Sequence, residues 1–224
     1  MIYSVAIDGP SGAGKSTLAK AIAEQLGILY VDTGAMYRSI GYYVFQKGID
    51  PKESAKVIAL LPEIRVEMAY DSDGLQRMYL NGADVTDAIR LPQISMYASA
   101  VSAIPQVRTF LLDMQRDLAK RQSIIMDGRD IGTVVLPDAQ VKIFLTAAPE
   151  ARALRRMKEL EQRGTPAPYA EVLQQIEERD YADTHRETAP LSQAEDAVRL
   201  DTTELDFDRS REAMLALIKE RVKI

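Results

Sequence analysis

Gly9-Pro10-Ser11-Gly12-Ala13-Gly14-Lys15-Ser16 decides how the rest of this 224-residue chain reads. The stretch satisfies every fixed position of the pattern Gly-x-x-x-x-Gly-Lys-Ser/Thr. Ile2 to Asp8, just before it, is a short apolar run suited to a buried strand. Lys15 to Leu26, just after it, carries Leu18, Ala19, Ile22, Ala23 and Leu26 at helical spacing and stops at Gly27. A strand, a glycine loop and a helix are the context the pattern requires. Backbone N–H groups converge on phosphate oxygens in such a loop, and the helix N-terminus adds a favourable dipole. Gly9 to Thr17 therefore reads as a nucleoside triphosphate loop. Lys15 is expected to reach the β- and γ-phosphates and Ser16 to help hold Mg²⁺.

Working outward, Ile28 to Val31 reads as a second buried strand and Gly34 to Lys47 as a helix closed by Gly48. This alternation predicts an α/β fold with a parallel sheet and flanking helices, of the P-loop type. The middle of the chain changes character. Glu63 to Met68 alternates polar and apolar, as does Leu75 to Leu80, with Asp71, Asp73 and Gly74 between them. That pattern predicts an antiparallel hairpin, and Asn81-Gly82 supplies another tight turn. The expected organisation is a core over 1–62 and 103–224 with a small antiparallel β/α insert over 63–102. Val107 to Arg121 reads as a helix, Ser123 to Asp127 and Val141 to Leu145 as buried strands, and Pro149 to Arg163 and Tyr169 to His185 as charged helices. Ala197 to Asp201 gives a last strand and Phe207 to Val222 a closing helix.

Composition narrows the chemistry. Lys plus Arg total 28 against 33 Asp plus Glu, a formal charge of −5, which argues against a general nucleic-acid binder. A local arginine cluster for a small anion stays open. No cysteine is present and His185 is the only histidine, which removes thiolate chemistry and multi-histidine metal sites. No apolar run reaches about 18 residues, and the N-terminus lacks the pattern of a secretory signal. A cytoplasmic, non-membrane protein is the expectation.

Several charged residues sit where a second phosphate would need them. Asp32-Thr33-Gly34-Ala35-Met36-Tyr37-Arg38 begins at the end of the second strand, the edge where α/β proteins bind ligands. Ile124-Ile125-Met126-Asp127 ends in an acid suited to the magnesium, and Gly128-Arg129-Asp130 follows on the same edge. Arg179, Asp183 and Arg186 are spaced to share a helix face, as do Arg152, Arg155 and Arg156 on the preceding helix. Arginine suits phosphate because its planar fork donates two N–H bonds and stays charged. Glycine and prolines at 164–168 would let a lid over about 149–170 close and exclude water. A guanine-reading Asn-Lys-x-Asp segment is missing, since Asn81 is the only asparagine. A small kinase remains, against rivals that act on UMP or a non-nucleotide acceptor, or that only sense nucleotides.

The motifs Asp8 to Thr17, Asp32 to Arg38, Asp127-Gly-Arg-Asp-Ile-Gly-Thr-Val-Val135 and Glu178-Arg-Asp…Asp183…Arg186 resemble those of the bacterial cytidylate kinases in order and spacing. The insert around 63–102 is similar to the enlarged nucleoside-monophosphate insert of the bacterial type. The resemblance implies MgATP plus CMP or dCMP giving ADP plus CDP or dCDP. It places Arg38, Arg129 and Arg186 on the acceptor phosphate and Thr33, with Tyr37, in the base pocket where serine is usual. It places Ser99, Arg108 and Asp130 at cytosine and Arg179 and Asp183 near the ribose. Direct in-line transfer is the expected chemistry, with Lys15, Arg129, Arg186 and the lid residues Arg152 and Arg156 as the catalytic cations. Ser16 stands where some members have glycine and restores the usual P-loop magnesium ligand, with Asp127 as its partner. Small kinases of this kind are expected to be monomeric.

Overall fold

The computed structural model describes residues 2–72, 74–162 and 164–223. Asp73 of the expected hairpin turn and Arg163, the expected end of a helix, lie outside the described residues. In chain order the elements are β1 (Ser4–Asp8), α1 (Lys15–Leu26), β2 (Leu29–Asp32), α2 (Thr33–Gln46), α3 (Ser54–Leu60), β3 (Val66–Tyr70), β4 (Gln76–Leu80) and β5 (Ala83–Asp84). They continue with α4 (Pro92–Ser102), α5 (Pro105–Arg121), β6 (Ile124–Gly128), β7 (Val141–Thr146), α6 (Pro149–Gln162), α7 (Tyr169–His185), β8 (Val198–Asp201) and α8 (Phe207–Val222). The chain divides into two compact units, Met1–Tyr30 with Ala119–Ile224, and Val31–Leu118.

The first unit is built on a five-stranded sheet of order β2-β6-β1-β7-β8, in which β6, β1, β7 and β8 pair in parallel. Asp8 at the end of β1 is level with Gly128 on one side and Phe144 on the other, so three chain turns leave the same edge. The sheet is central because β1 and β6 are apolar on both faces. Val5, Ile7, Ile125, Ile143 and Leu145 pack against Leu18 and Ile22 of α1 and Met214 and Ile218 of α8. Full burial of each such aliphatic side chain contributes about 1.5–3 kcal/mol. A second apolar seam of Ala153, Val172 and Ile176 joins α6 to α7.

The second unit holds a three-stranded antiparallel sheet, β3-β4-β5, with Val66 opposite Leu80 and Tyr70 opposite Gln76. Its first turn is fastened by Asp71, whose carboxylate accepts from Leu75 N–H and pairs with Arg77 at 2.8 Å. Helix α2 starts at Thr33, one residue before the glycine expected to open it, because the Asp32 carboxylate caps it by accepting from Ala35 N–H at 3.0 Å.

Two helices escaped the sequence reading. In α4 the buried residues Ile94, Ala98 and Val101 repeat at helical spacing behind Pro92 in the first turn, a position where proline is tolerated. The short α3 buries only Val57 and Leu60. A five-residue π-turn over Ile131–Val135 was also unforeseen. No helix among the described residues is long and apolar enough to cross a membrane.

Candidate active site

The phosphate loop leaves β1 at Asp8 and enters α1 at Lys15. Gly9 has φ of +148°, and a Cβ there would lie within 3 Å of the Leu145 carbonyl, so only glycine lets the loop turn off the sheet. Lys15 is buried and its ammonium donates to the Pro10 carbonyl oxygen at 2.7 Å. Burial, and then the Arg129 and Arg179 charges, hold its pKa well below the ordinary lysine value, against the opposing pull of Asp127 and Asp183. An arriving polyphosphate would relieve that strain. The Ser16 hydroxyl donates to Asp127 Oδ2 at 2.8 Å, and the Tyr30 hydroxyl donates to the other carboxylate oxygen at 2.9 Å. Ser16 and Asp127 thus present hard oxygen donors side by side, a set that fits Mg²⁺ shared with phosphate oxygens. No group of three or more His, Asp or Glu side chains among the described residues forms a metal cage by itself.

The segment after β6 brings the expected arginines to the same unit. Arg129 Nε donates to Asp183 Oδ2 at 2.7 Å, and Arg186 Nη2 lies 3.8 Å from the buried Asp130 carboxylate. Burial raises the Asp183 pKa, but the charges of Arg129, Arg179 and Arg186 and the Arg129 hydrogen bond outweigh it and hold the carboxyl below its ordinary value. Arg179 and Asp183 share α7 as the spacing predicts. Arg186 does not share that face. It follows the helix with extended backbone, and its Nε donates to the Ala189 carbonyl at 2.7 Å.

On α6 the three arginines part company. Arg152 is buried: Nε donates to Ala147 O at 2.8 Å, Nη1 to Ser11 O of the phosphate loop at 3.0 Å, and the fork meets both oxygens of Asp180. Arg155 turns to the Thr202 carbonyl at 2.5 Å, away from the loop. Arg156 is half-buried and pairs with Glu159 at 3.0 Å. A cavity of about 450 Å³ lies beside the loop, lined by Pro10, Phe144, Pro149, Arg152, Asp180 and Arg199 among others.

The second unit, taken by itself, gathers the remaining expected residues on α2, α4 and α5. Thr33 is buried at the start of α2, and Arg38 lies one turn on, 3.6 Å from Asp32. Arg38 Nη1, the atom that faces Asp32, is buried without a hydrogen-bond partner among the described residues. Arg108 is buried, donates to Ser102 O at 3.2 Å and lies over the Tyr37 ring at 5.5 Å. Ser99 is half-buried on α4.

Sequence reasoning missed four partners: Tyr30 on Asp127, Asp180 on Arg152, Arg90 on Asp32 at 3.2 Å, and Asp8 on the turn after Asp130. A single tyrosine or aspartate gives no spacing signal, although the position of Asp8 beside the loop was a hint.

A glycine loop leaving a central parallel strand, a buried lysine at its end, a hydrogen-bonded Ser16–Asp127 pair and an adjoining arginine–aspartate cluster define a P-loop phosphotransferase. Solved structures agree on the fold: a shikimate kinase from Bacteroides thetaiotaomicron aligns with a TM-score of 0.50 at 14% identity over 100% of both chains. An uncharacterised protein from Eubacterium ventriosum gives 0.53 at 14% identity over 99% of this chain and 100% of that one. Sequence comparison is more specific. The family model for cytidylate kinase matches residues 5–220, and the chain belongs to that family. Cytidylate kinases of Caldicellulosiruptor bescii (48% identical, 98% of this chain and 97% of that protein) and Fervidobacterium nodosum (47%, 100% of both) are among its relatives.

Proposed function

We propose that the protein transfers the γ-phosphoryl group of ATP to CMP or dCMP, giving ADP and CDP or dCDP. Its membership of the cytidylate kinase family supports the substrates. The observation that carries the chemistry is the single unit holding Lys15, the Ser16–Asp127 pair and the Arg129–Asp183 pair. Transfer is direct: an acceptor phosphate oxygen forms a bond to the γ-phosphorus while the bond to the β,γ-bridging oxygen breaks and ADP leaves. Such reactions depend mainly on positioning and charge neutralisation. Mg²⁺, held by Ser16 and Asp127, would supply part of that neutralisation when bound. Lys15 takes the β/γ-phosphates and the backbone of Gly9 to Thr17 cradles them.

Arg129 and Arg186 take the acceptor phosphate in the first unit, with Arg179 and Asp183 near the ribose. Asp130 accepts from the cytosine amino group, which uracil lacks. In the second unit Arg38 takes phosphate and Arg108, Ser99, Thr33 and Tyr37 serve the base. Leaving buried polar groups unpaired against the wrong base is the basis of rejection. Arg152 and Arg156 act from the donor side, within a lid over about 149–170, and residues 63–102 form the acceptor-side insert. The setting is pyrimidine nucleotide metabolism in the cytoplasm, by a monomer that binds no nucleic acid.

An assay of ADP release with CMP, dCMP, UMP, AMP and shikimate tests this. The expected result is acceptor-dependent ADP formation fastest with CMP or dCMP. Equal rates with UMP or shikimate, or ADP release independent of acceptor, would overturn it.

A further inference from the structure

Asp8 is an ionisable side chain that the chemistry above does not use. It is the last residue of β1, 5% exposed, in the middle of the sheet. Its two carboxylate oxygens accept from two consecutive backbone N–H groups, Ile131 to Oδ1 and Gly132 to Oδ2, each at 2.7 Å. Those N–H groups open the π-turn, whose own bonds run to the Asp130 and Ile131 carbonyls from Val134, Val135 and Leu136. They would otherwise be buried orphans. The approach is close. A Cβ on Gly132 would lie 3.3 Å from Asp8 Oδ2 and 3.2 Å from the Lys142 stem, tight enough that the carboxylate or the lysine stem would have to shift slightly to admit it.

The placement along the chain gives the arrangement its meaning. Asp8 is joined directly to Gly9 of the phosphate loop, and Ile131 directly to Asp130, which follows Arg129. A buried carboxylate is a costly way to satisfy two N–H groups. Burial pushes its carboxyl up to about 6, against the pull of the two N–H bonds and with Asp130 adding to the rise. What a carboxylate offers beyond a neutral side chain is two acceptors at fixed separation. An asparagine would turn an NH₂ group toward one of the two donors.

We infer that Asp8 is a positioning residue that fixes Arg129 and Asp130 relative to the phosphate loop. It thereby sets acceptor alignment and base selectivity without touching a substrate. This rests on the acceptor roles proposed for Arg129 and Asp130. Misplacement of a reacting group by about 1 Å costs on the order of 100-fold in rate, which sets the size of the effect.

The test compares the full chain with Asp8→Asn below its unfolding temperature. ATP affinity should change by less than about 3-fold, while kcat/KM for CMP falls on the order of 100-fold and the CMP-over-UMP ratio shrinks about 10-fold. Amide exchange at Ile131 and Gly132 should accelerate ahead of the rest of the sheet. Loss of thermal stability with unchanged CMP kinetics and selectivity, or an equal loss for CMP and UMP, overturns the inference. If Asp8→Asn does not fold, Gly132→Ala carries the same measurements in the same direction and to a smaller extent, because its Cβ crowds the carboxylate oxygen at 3.3 Å. A wild-type chain without preference for CMP would instead count against the proposed function, and the exchange result would still decide whether Asp8 holds the turn.

Discussion

Arg129 and Asp183 meet at 2.7 Å although they lie 54 positions apart, one in the turn after β6 and the other near the end of α7. The pair fastens the last helix of the arginine-bearing α6–α7 pair to the segment that carries Asp130. Asp183 is also within reach of the Arg179 and Arg186 charges, so one buried carboxylate balances three cations. Removing its charge breaks the direct pair with Arg129, which for a buried pair costs about 3–5 kcal/mol.

Asp183→Asn should therefore unfold at markedly lower temperature. The pH dependence gives a second signature. The folded pKa lies below the ordinary 3.8, so the stabilisation is complete above that value and is lost as pH falls through the folded pKa. Wild-type stability should drop on the acid side of pH 3.8, and Asp183→Asn should flatten that drop, as read by denaturant titration at successive pH values. An unaltered acid limb would show that Asp183 is not held ionised.

Lys15 has the opposite sign. Its ammonium is disfavoured in the folded protein, so the unfolded chain binds that proton more tightly and the contribution to stability rises with pH toward the ordinary 10.5. Lys15→Met should lower kcat by about 100- to 1,000-fold, the scale for losing one group that stabilises transition-state charge. Its thermal midpoint near neutral pH should be no lower than that of the parent. Near-parental turnover would remove Lys15 from the reaction, and a large loss of stability would contradict the burial strain assigned to it.

Much of this was legible because the phosphate loop imposes a backbone requirement, and backbone requirements leave glycines at fixed spacing. Gly9, Gly14, Lys15 and Ser16 are recognisable for that reason. That β1, β6 and β7 are buried strands of a parallel sheet was readable from their short apolar runs, whereas their order in the sheet was not. Partners drawn from distant segments left no such trace. Asp180 lies 28 positions from Arg152, and Tyr30 lies 97 from Asp127. Asp8 was visible as the close of a strand and the start of the loop motif but not in its contacts, because these are to N–H groups 123 and 124 positions away. Helix α4 was hidden by a proline in its first turn, and Arg186 was placed on a helix that ends one residue before it.

The Ser16–Asp127 contact predicts a graded response to metal. Asp127 receives a hydroxyl hydrogen bond on each oxygen, from Ser16 at 2.8 Å and Tyr30 at 2.9 Å. If both Ser16 and Asp127 hold Mg²⁺, Ser16→Ala should raise the Mg²⁺ concentration giving half-maximal rate, and Asp127→Asn should raise it further. Tyr30→Phe should do so least, because it loses only a hydrogen bond to the carboxylate. Titration of free Mg²⁺ at fixed ATP orders the three. Parental Mg²⁺ dependence in Asp127→Asn would exclude Asp127 as a ligand.

Arg152 and Arg156 stand one helical turn apart on α6, yet their surroundings predict unlike consequences. Arg152 is buried and spends its guanidinium on the Ala147 and Ser11 carbonyls and the Asp180 carboxylate, so it braces the phosphate loop against α7. Lysine has a point charge and cannot make the fork with Asp180 while reaching Ser11. Arg152→Lys should therefore raise the KM for ATP and lower thermal stability together. Among the described residues Arg156 pairs with half-exposed Glu159, an interaction of the class that contributes about 0–1 kcal/mol. Arg156→Lys should leave stability unchanged, and Arg156→Ala should lower kcat if its guanidinium turns to the phosphates during transfer. Matching stability losses in Arg152→Lys and Arg156→Lys would contradict the bracing role of Arg152. An unchanged kcat in Arg156→Ala would take Arg156 out of the transfer step.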